Sequence, residues 1–183
     1  MTDSALKKED LPHYTYDDYE KWEGKWELIQ GIPIALAPAP GLNHQRICRK
    51  IVWQLSDLLK DNTQYEVFLP IDWQITEDTV VQPDALVVCG EKMAGKKLQT
   101  TPVIIFEVLS PSTSKNDRML KYRLYEAAGV KYYCIVDPET CSANVFLFHA
   151  DQYQPIDDFK DGKMSFDIGA CEIQFDFHMI FQQ

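Results

Sequence analysis

Two apolar runs in this chain each carry one carboxylate, and that pair of exceptions restricts the fold more than any other feature. Val80-Val-Gln-Pro-Asp84-Ala-Leu-Val-Val88 is interrupted by Pro83 and Asp84, and Val103-Ile-Ile-Phe-Glu107-Val-Leu109 by Glu107. Both runs are rich in β-branched and aliphatic residues, so both read as strands. A carboxylate in such a strand is costly unless it is paired, hydrogen-bonded or holding a cation. Local rules tend to break at functional sites, and two violations in neighbouring strands carry more weight than one.

Spacing gives the violations a geometry. If the two runs form an antiparallel hairpin, positions whose numbers sum to about 191 lie opposite one another, and Asp84 and Glu107 meet that condition. The fold-over then falls at Ala94-Gly95-Lys96, at a turn-prone glycine. Cross-strand neighbours have Cβ atoms roughly 4.5–5.5 Å apart. Two carboxylates that close repel unless a proton or a divalent cation lies between them. Oxygen ligands of this kind suit Mg²⁺ or Mn²⁺.

The remaining patterns place these strands in an α/β (α+β) domain with a mixed β-sheet flanked by helices. Thr15 caps a short helix over residues 15–22, and residues 26–31 and 32–37 form two strands turning at Gly31-Ile32-Pro33. A helix over 43–60 buries Ile47, Ile51, Leu55, Leu58 and Leu59, with Asn43 as its cap. Strands follow at 65–69, 71–76 and 80–88. Beyond residue 109, Ser114 or Asn116 caps a helix that ends at Gly129, with Leu120, Leu124, Ala127 and Ala128 facing inward. Strands at 131–136 and 143–148 and short segments near 153–156 and 172–177 make a β-rich C-terminal tail. Residues 1–12 are polar and expected to be loosely held, leaving 13–183 as one domain.

Composition excludes several classes. No apolar run approaches the ~20 residues that span a bilayer, and the polar N-terminus lacks a signal-peptide core, so no membrane association and a cytoplasmic location are expected. Five scattered cysteines with no C-x-x-C pair make neither a disulfide framework nor a zinc-finger spacing. Cys48, Cys89 and Cys134 lie in apolar stretches and read as small core residues. A net charge of −10 argues against coating nucleic acid by bulk electrostatics. The charge is uneven, however: residues 90–131 carry eight Lys/Arg against four acids, which is compatible with a polyanionic substrate.

Lys121 lies on the helix after the second acidic strand, one position around from its inward stripe, with Tyr125 one turn further along. A lysine there can reach the carboxylates, or it can simply be solvated. Glu27 lies on the apparently polar face of its strand, and His44 near a helix start reads by default as a cap or surface histidine. Tyr122, Tyr125, Tyr132 and Tyr133 read as packing or interface aromatics.

Taken together, Gln82-Pro-Asp84, Phe106-Glu-Val-Leu-Ser-Pro-Ser-Thr113, Asp117-Arg-Met-Leu-Lys-Tyr122, Tyr125-x-x-x-Gly-Val130 and Ile135-Val-Asp-Pro138 closely resemble the Uma-two family of the PD-(D/E)XK nuclease superfamily. Glu27-Leu-Ile-Gln-Gly31 and Pro40-x-x-x-His44-Gln-x-Ile47 match upstream, and the resemblance covers roughly residues 14 to 150. It implies a restriction-endonuclease-like fold, a Mg²⁺- or Mn²⁺-dependent endonuclease acting on nucleic acid (DNA foremost), and a homodimer. Carried over by position, Asp84 and Glu107 are metal ligands, with the Val108 carbonyl completing the protein's share of the sphere. The superfamily's usual lysine falls on Leu109, and Lys121 takes its place from the following helix. Glu27 is an additional acid, while His44 and Gln82 line the site. The competing expectation is a catalytically silent interaction module in which the acids and Lys121 form a neutralised structural network.

Overall fold

The computed structural model describes residues 12–36, 41–90, 93–110 and 115–182, with side chains from residue 118 onward in the last segment. Residues 1–11, Ala37, Pro40 and Pro111 to Ser114, all of which figure in the expectations above, lie outside the described residues, as does the side chain of Asn116.

In chain order the elements are α1 (Tyr16–Tyr19), β1 (Trp26–Ile29), β2 (Ile32–Ala35), α2 (Leu42–Leu59), β3 (Tyr65–Phe68), β4 (Trp73–Thr76), β5 (Thr79–Val81) and β6 (Ala85–Cys89). They continue as β7 (Ile104–Val108), α3 (Lys115–Ala127), β8 (Tyr132–Asp137), β9 (Ser142–His149), β10 (Gln152–Phe159), β11 (Lys163–Asp167), β12 (Glu172–Asp176) and α4 (Phe177–Phe181). None of the described helices is long and apolar enough to cross a membrane.

The expected strand over 80–88 is two strands in two sheets. Strand β5 belongs to an antiparallel four-stranded sheet ordered β2-β1-β5-β4, and β6 to a six-stranded sheet ordered β10-β9-β8-β7-β6-β3. Pro83 has no N–H for a ladder, which ends the first strand before Asp84. The antiparallel register of β6 on β7 holds: Ala85 faces Phe106, Leu86 faces Ile105 and Val87 faces Ile104. Strand β7 runs parallel to β8 through the α3 crossover, so the larger sheet is mixed.

Alternation along β6 and β7 divides the core. Ala85, Val87, Ile104, Phe106 and Val108 face α2, α4 and the β11–β12 hairpin. Leu86, Val88 and Ile105 face Trp73, Leu98, Tyr125 and Val130. Helix α2 contributes Ile47, Ile51, Leu55 and Leu59 to the first layer, and Ile51 and Leu55 are fully buried. Burying a side chain of that size stabilises by about 1.5–3 kcal/mol. By parity Glu107 shares the Ile105 face, which is the side covered by α3.

Local details depart from expectation for identifiable reasons. The β1–β2 hairpin turns on Gln30-Gly31, both at positive φ (51° and 76°), with Ile29 opposite Ile32. That is the two-residue turn whose twist matches the strands. The α2 cap is Gly41, and Asn43 lies inside the first turn. The expected Thr15 cap is present, its N–H donating to Asp18 Oδ2 at 3.0 Å. Helix α3 ends as expected at Gly129 (φ 73°), where Gly129 N–H donates to the Glu126 carbonyl and Val130 N–H to that of Tyr125. This is a Schellman closure. The buried face of α3 is the expected one only in part: Leu124 and Ala128 pack against the core, but Lys121 and Tyr125 are buried and Leu120 is 37% exposed. The segment near 172–177 stops as a strand at Asp176, whose Oδ1 accepts the N–H of His178 and starts α4.

A carboxylate and lysine cluster where the two sheets meet

Gln82-Pro83-Asp84 links the sheets, so acids from both arrive at one place. Strand β1 supplies Glu27, which is 1% exposed rather than lying on a polar face. Its Oε1 accepts the Gln82 N–H at 2.9 Å and lies 3.0 Å from Lys121 Nζ. The same ammonium is 3.2 Å from Glu107 Oε1, which also accepts the Tyr125 hydroxyl at 2.6 Å. Asp84 Oδ2 accepts the Val108 N–H at 2.8 Å and lies 3.2 Å from His44 Nε2. On the far side of that ring, Nδ1 stands 3.4 Å from Cys48 Sγ.

The structure therefore brings Glu27, Asp84, Glu107, Lys121, His44 and the Val108 backbone into one connected cluster. Gln82 takes part through its N–H alone: its side chain turns away to Asp72 Oδ1 (2.7 Å) and the Tyr19 hydroxyl (3.3 Å). Two participants carry another reading in the sequence, Tyr125 as a packing or interface aromatic and Cys48 as a small core residue. Tyr125 lies one turn beyond Lys121 on α3, and Cys48 one turn beyond His44 on α2, so i,i+4 spacing was the available signal for both.

Electrostatics follow from burial and crowding. Burial pushes the Glu107 carboxyl up to about 7; Lys121 pulls it down, and Asp84 and Glu27 push it further up. Burial opposes a charge on His44, but the Asp84 carboxylate, the Val108 carbonyl and Glu107 outweigh it, and the net direction is upward. The Cys48 thiol and the Tyr125 hydroxyl are both raised by burial first and by the neighbouring carboxylates second.

A divalent cation fits this donor set on chemical grounds. Protein donors engage a single oxygen of each carboxylate: Oε1 of Glu27, Oδ2 of Asp84 and Oε1 of Glu107. No donor among the described residues contacts the second oxygen of any of the three. Above pH 7, where Glu107 ionises, three carboxylates against one lysine and one histidine also leave negative charge uncompensated, which favours a hard cation with oxygen ligands.

The profile of the Uma2 family, described as "putative restriction endonuclease", matches residues 16–166 of this sequence. The chain belongs to the Uma2 family. A solved structure of "a putative nuclease belonging to DUF820" from Anabaena variabilis ATCC 29413 superposes on this Uma2 chain with a TM-score of 0.74. The two share 18% sequence identity, and the match covers 92% of this chain and 97% of the other. Such identity speaks for the fold, and the nuclease-type fold expected from sequence is the one observed. No curated protein matches the chain.

Proposed function

We propose that this Uma2 chain is a nuclease that uses Mg²⁺ or Mn²⁺ to hydrolyse phosphodiester bonds of nucleic acid. The observation that carries the reading is the set of second carboxylate oxygens of Glu27, Asp84 and Glu107, each without a protein donor among the described residues, beside the Lys121 ammonium. Asp84 and Glu107 would hold the ion, with Glu27 and the Val108 carbonyl beside them. When bound, the ion would supply Lewis-acid stabilisation of charge on the phosphate. The chain's own groups do the rest. Val108 N–H and His44 fix the Asp84 carboxylate, and the Tyr125 hydroxyl fixes that of Glu107. Glu27 and Glu107 hold Lys121 Nζ in place, where it would orient water or receive charge developing on the phosphate.

The family's description as a restriction endonuclease supports DNA as the substrate. A homodimer and a cytoplasmic location belong to the same reading, and a dimeric mass in solution is its expectation for assembly. Supercoiled plasmid incubated with Mg²⁺ or Mn²⁺ should be nicked or linearised by the wild type and left intact by Asp84→Ala and Glu107→Ala. Cleavage that persists in either variant would sink the assignment.

A second reading has its own observation. The Lys121 ammonium already lies between two carboxylates, and such an arrangement also serves a silent structural network. The stability of metal-free Glu107→Gln above pH 7, relative to wild type, separates the two.

A further inference from the structure

The helical pair His44 and Cys48 brings a nitrogen and a sulfur to the edge of the oxygen-ligated site. The two residues are one turn apart on α2 and both buried (8% and 7% exposed), and the imidazole faces Cys48 Sγ with Nδ1 and Asp84 Oδ2 with Nε2. One ligand atom from each of His44, Cys48 and Asp84 lies within 4.8 Å of the other two. Tetrahedral zinc, with bonds of roughly 2.0–2.3 Å, spaces its ligands about 3.3–3.8 Å apart, so closure on one ring nitrogen turns the imidazole and draws its two neighbours in.

We infer that His44, Cys48 and Asp84 form a second cation site, suited to a borderline-soft ion of the Zn²⁺ type. Sulfur and imidazole select such an ion over Mg²⁺, whose preference is for oxygen. One ring nitrogen, the sulfur and one carboxylate oxygen make three protein ligands and leave a fourth position open. Cys48 enters as the thiolate, its proton passing to solvent as the ion binds. Neither the carboxylate pair Asp84–Glu107 nor Lys121 supplies a soft ligand, so the two sites differ in kind while sharing Asp84.

That sharing gives the site a consequence, which rests on the function proposed above. A soft ion held by His44 and Cys48 draws on the carboxylate that the Mg²⁺ or Mn²⁺ ion needs. Zn²⁺ then acts as an antagonist of the hard ion through one common ligand.

Co²⁺ titrated into metal-free protein is the direct test, because a cobalt–thiolate bond absorbs in the near ultraviolet. The band should saturate at one equivalent, vanish in Cys48→Ser, need at least about tenfold more Co²⁺ in His44→Ala, and survive in Glu107→Gln. Absence of the band in the wild type, or its persistence in Cys48→Ser, overturns the site. If Cys48→Ser does not fold, X-ray absorption of the zinc-loaded wild type decides: one sulfur neighbour supports the site, and nitrogen and oxygen neighbours alone refute it. Mn²⁺ binding followed by electron paramagnetic resonance keeps the two ideas apart. Its indifference to Glu107→Gln would refute the oxygen-ligated site and leave the thiolate band, and this site, standing.

Discussion

Lys121 Nζ lies 3.0 Å from Glu27 Oε1, a contact that fastens the α3 crossover of one sheet to the β1 strand of the other. Both groups are nearly inaccessible, with side chains 11% and 2% exposed. Removing one member of a buried pair strands the other, at a cost of about 3–5 kcal/mol. Lys121→Met should therefore destabilise the metal-free protein, and by more at about pH 8 than at about pH 5.5, because Glu107 can take up a proton at the lower pH. Urea unfolding at the two pH values checks this. Equal losses at both would remove Glu107 from the network.

The elevated Glu107 carboxyl makes a separate pH prediction. Its value in the folded protein, about 7, lies above its ordinary 4.5, so between those limits the folded chain holds a proton that the unfolded chain has released. The corresponding stability is fully present below pH 4.5 and is lost as pH rises through 7. Metal-free wild type should lose stability across that window, and Glu107→Gln should flatten the profile and be the more stable protein above it. If Glu107→Gln is instead the less stable above pH 7, the silent structural network is the better reading of the cluster.

Metal addition should reverse the carboxylate repulsion. An ion that binds only the folded state at 100 times its Kd adds about 2.7 kcal/mol. Mn²⁺ is expected to raise the Tm of the wild type by several degrees and to leave Asp84→Asn and Glu107→Gln unmoved. A shift of equal size in those variants would place the ion elsewhere.

Gly129 offers a prediction about the scaffold alone. It ends α3 at φ 73°, and a Cβ built there meets only Phe148 Cε1, at 3.9 Å. Space is thus not the obstacle, and Gly129→Ala should cost about 1–2 kcal/mol through backbone conformation. Thermal or urea unfolding measures it. A neutral result would mean that α3 ends without the Schellman closure.

Much of the candidate cluster was legible in the sequence because its signals were violations of strand chemistry. Asp84 and Glu107 stood out as charges among aliphatic residues, and the antiparallel register that paired them is the one observed between β6 and β7. What escaped was anything needing a third dimension. Glu27 reads as solvent-facing on its own strand and is buried only because α3 and the Gln82 turn close over it. The leucines and alanines of α3 suggest an inward stripe, yet Lys121 and Tyr125 are its buried members because carboxylates from other elements await them. Cys48 looked like core filler, since its neighbour Asp84 comes from a distant part of the chain. The break at Pro83 was visible, but its role as a change of sheet was not, because a proline marks where pairing stops and not where the chain goes next.

The Gln82-Pro83-Asp84 connection also bears on when the cluster can exist. Its members come from β1, the start of α2, the sheet-to-sheet link, β7 and α3, so it gathers contacts that are distant along the chain. Such contacts form late, after loop-closure entropy has been overcome. A nascent or partly unfolded chain in which only one sheet has formed lacks either Glu27 or the Glu107–Lys121 pair. Under the proposed function, cation binding becomes a report on complete folding, and a half-made chain would carry no competent cluster to turn on a nucleic acid.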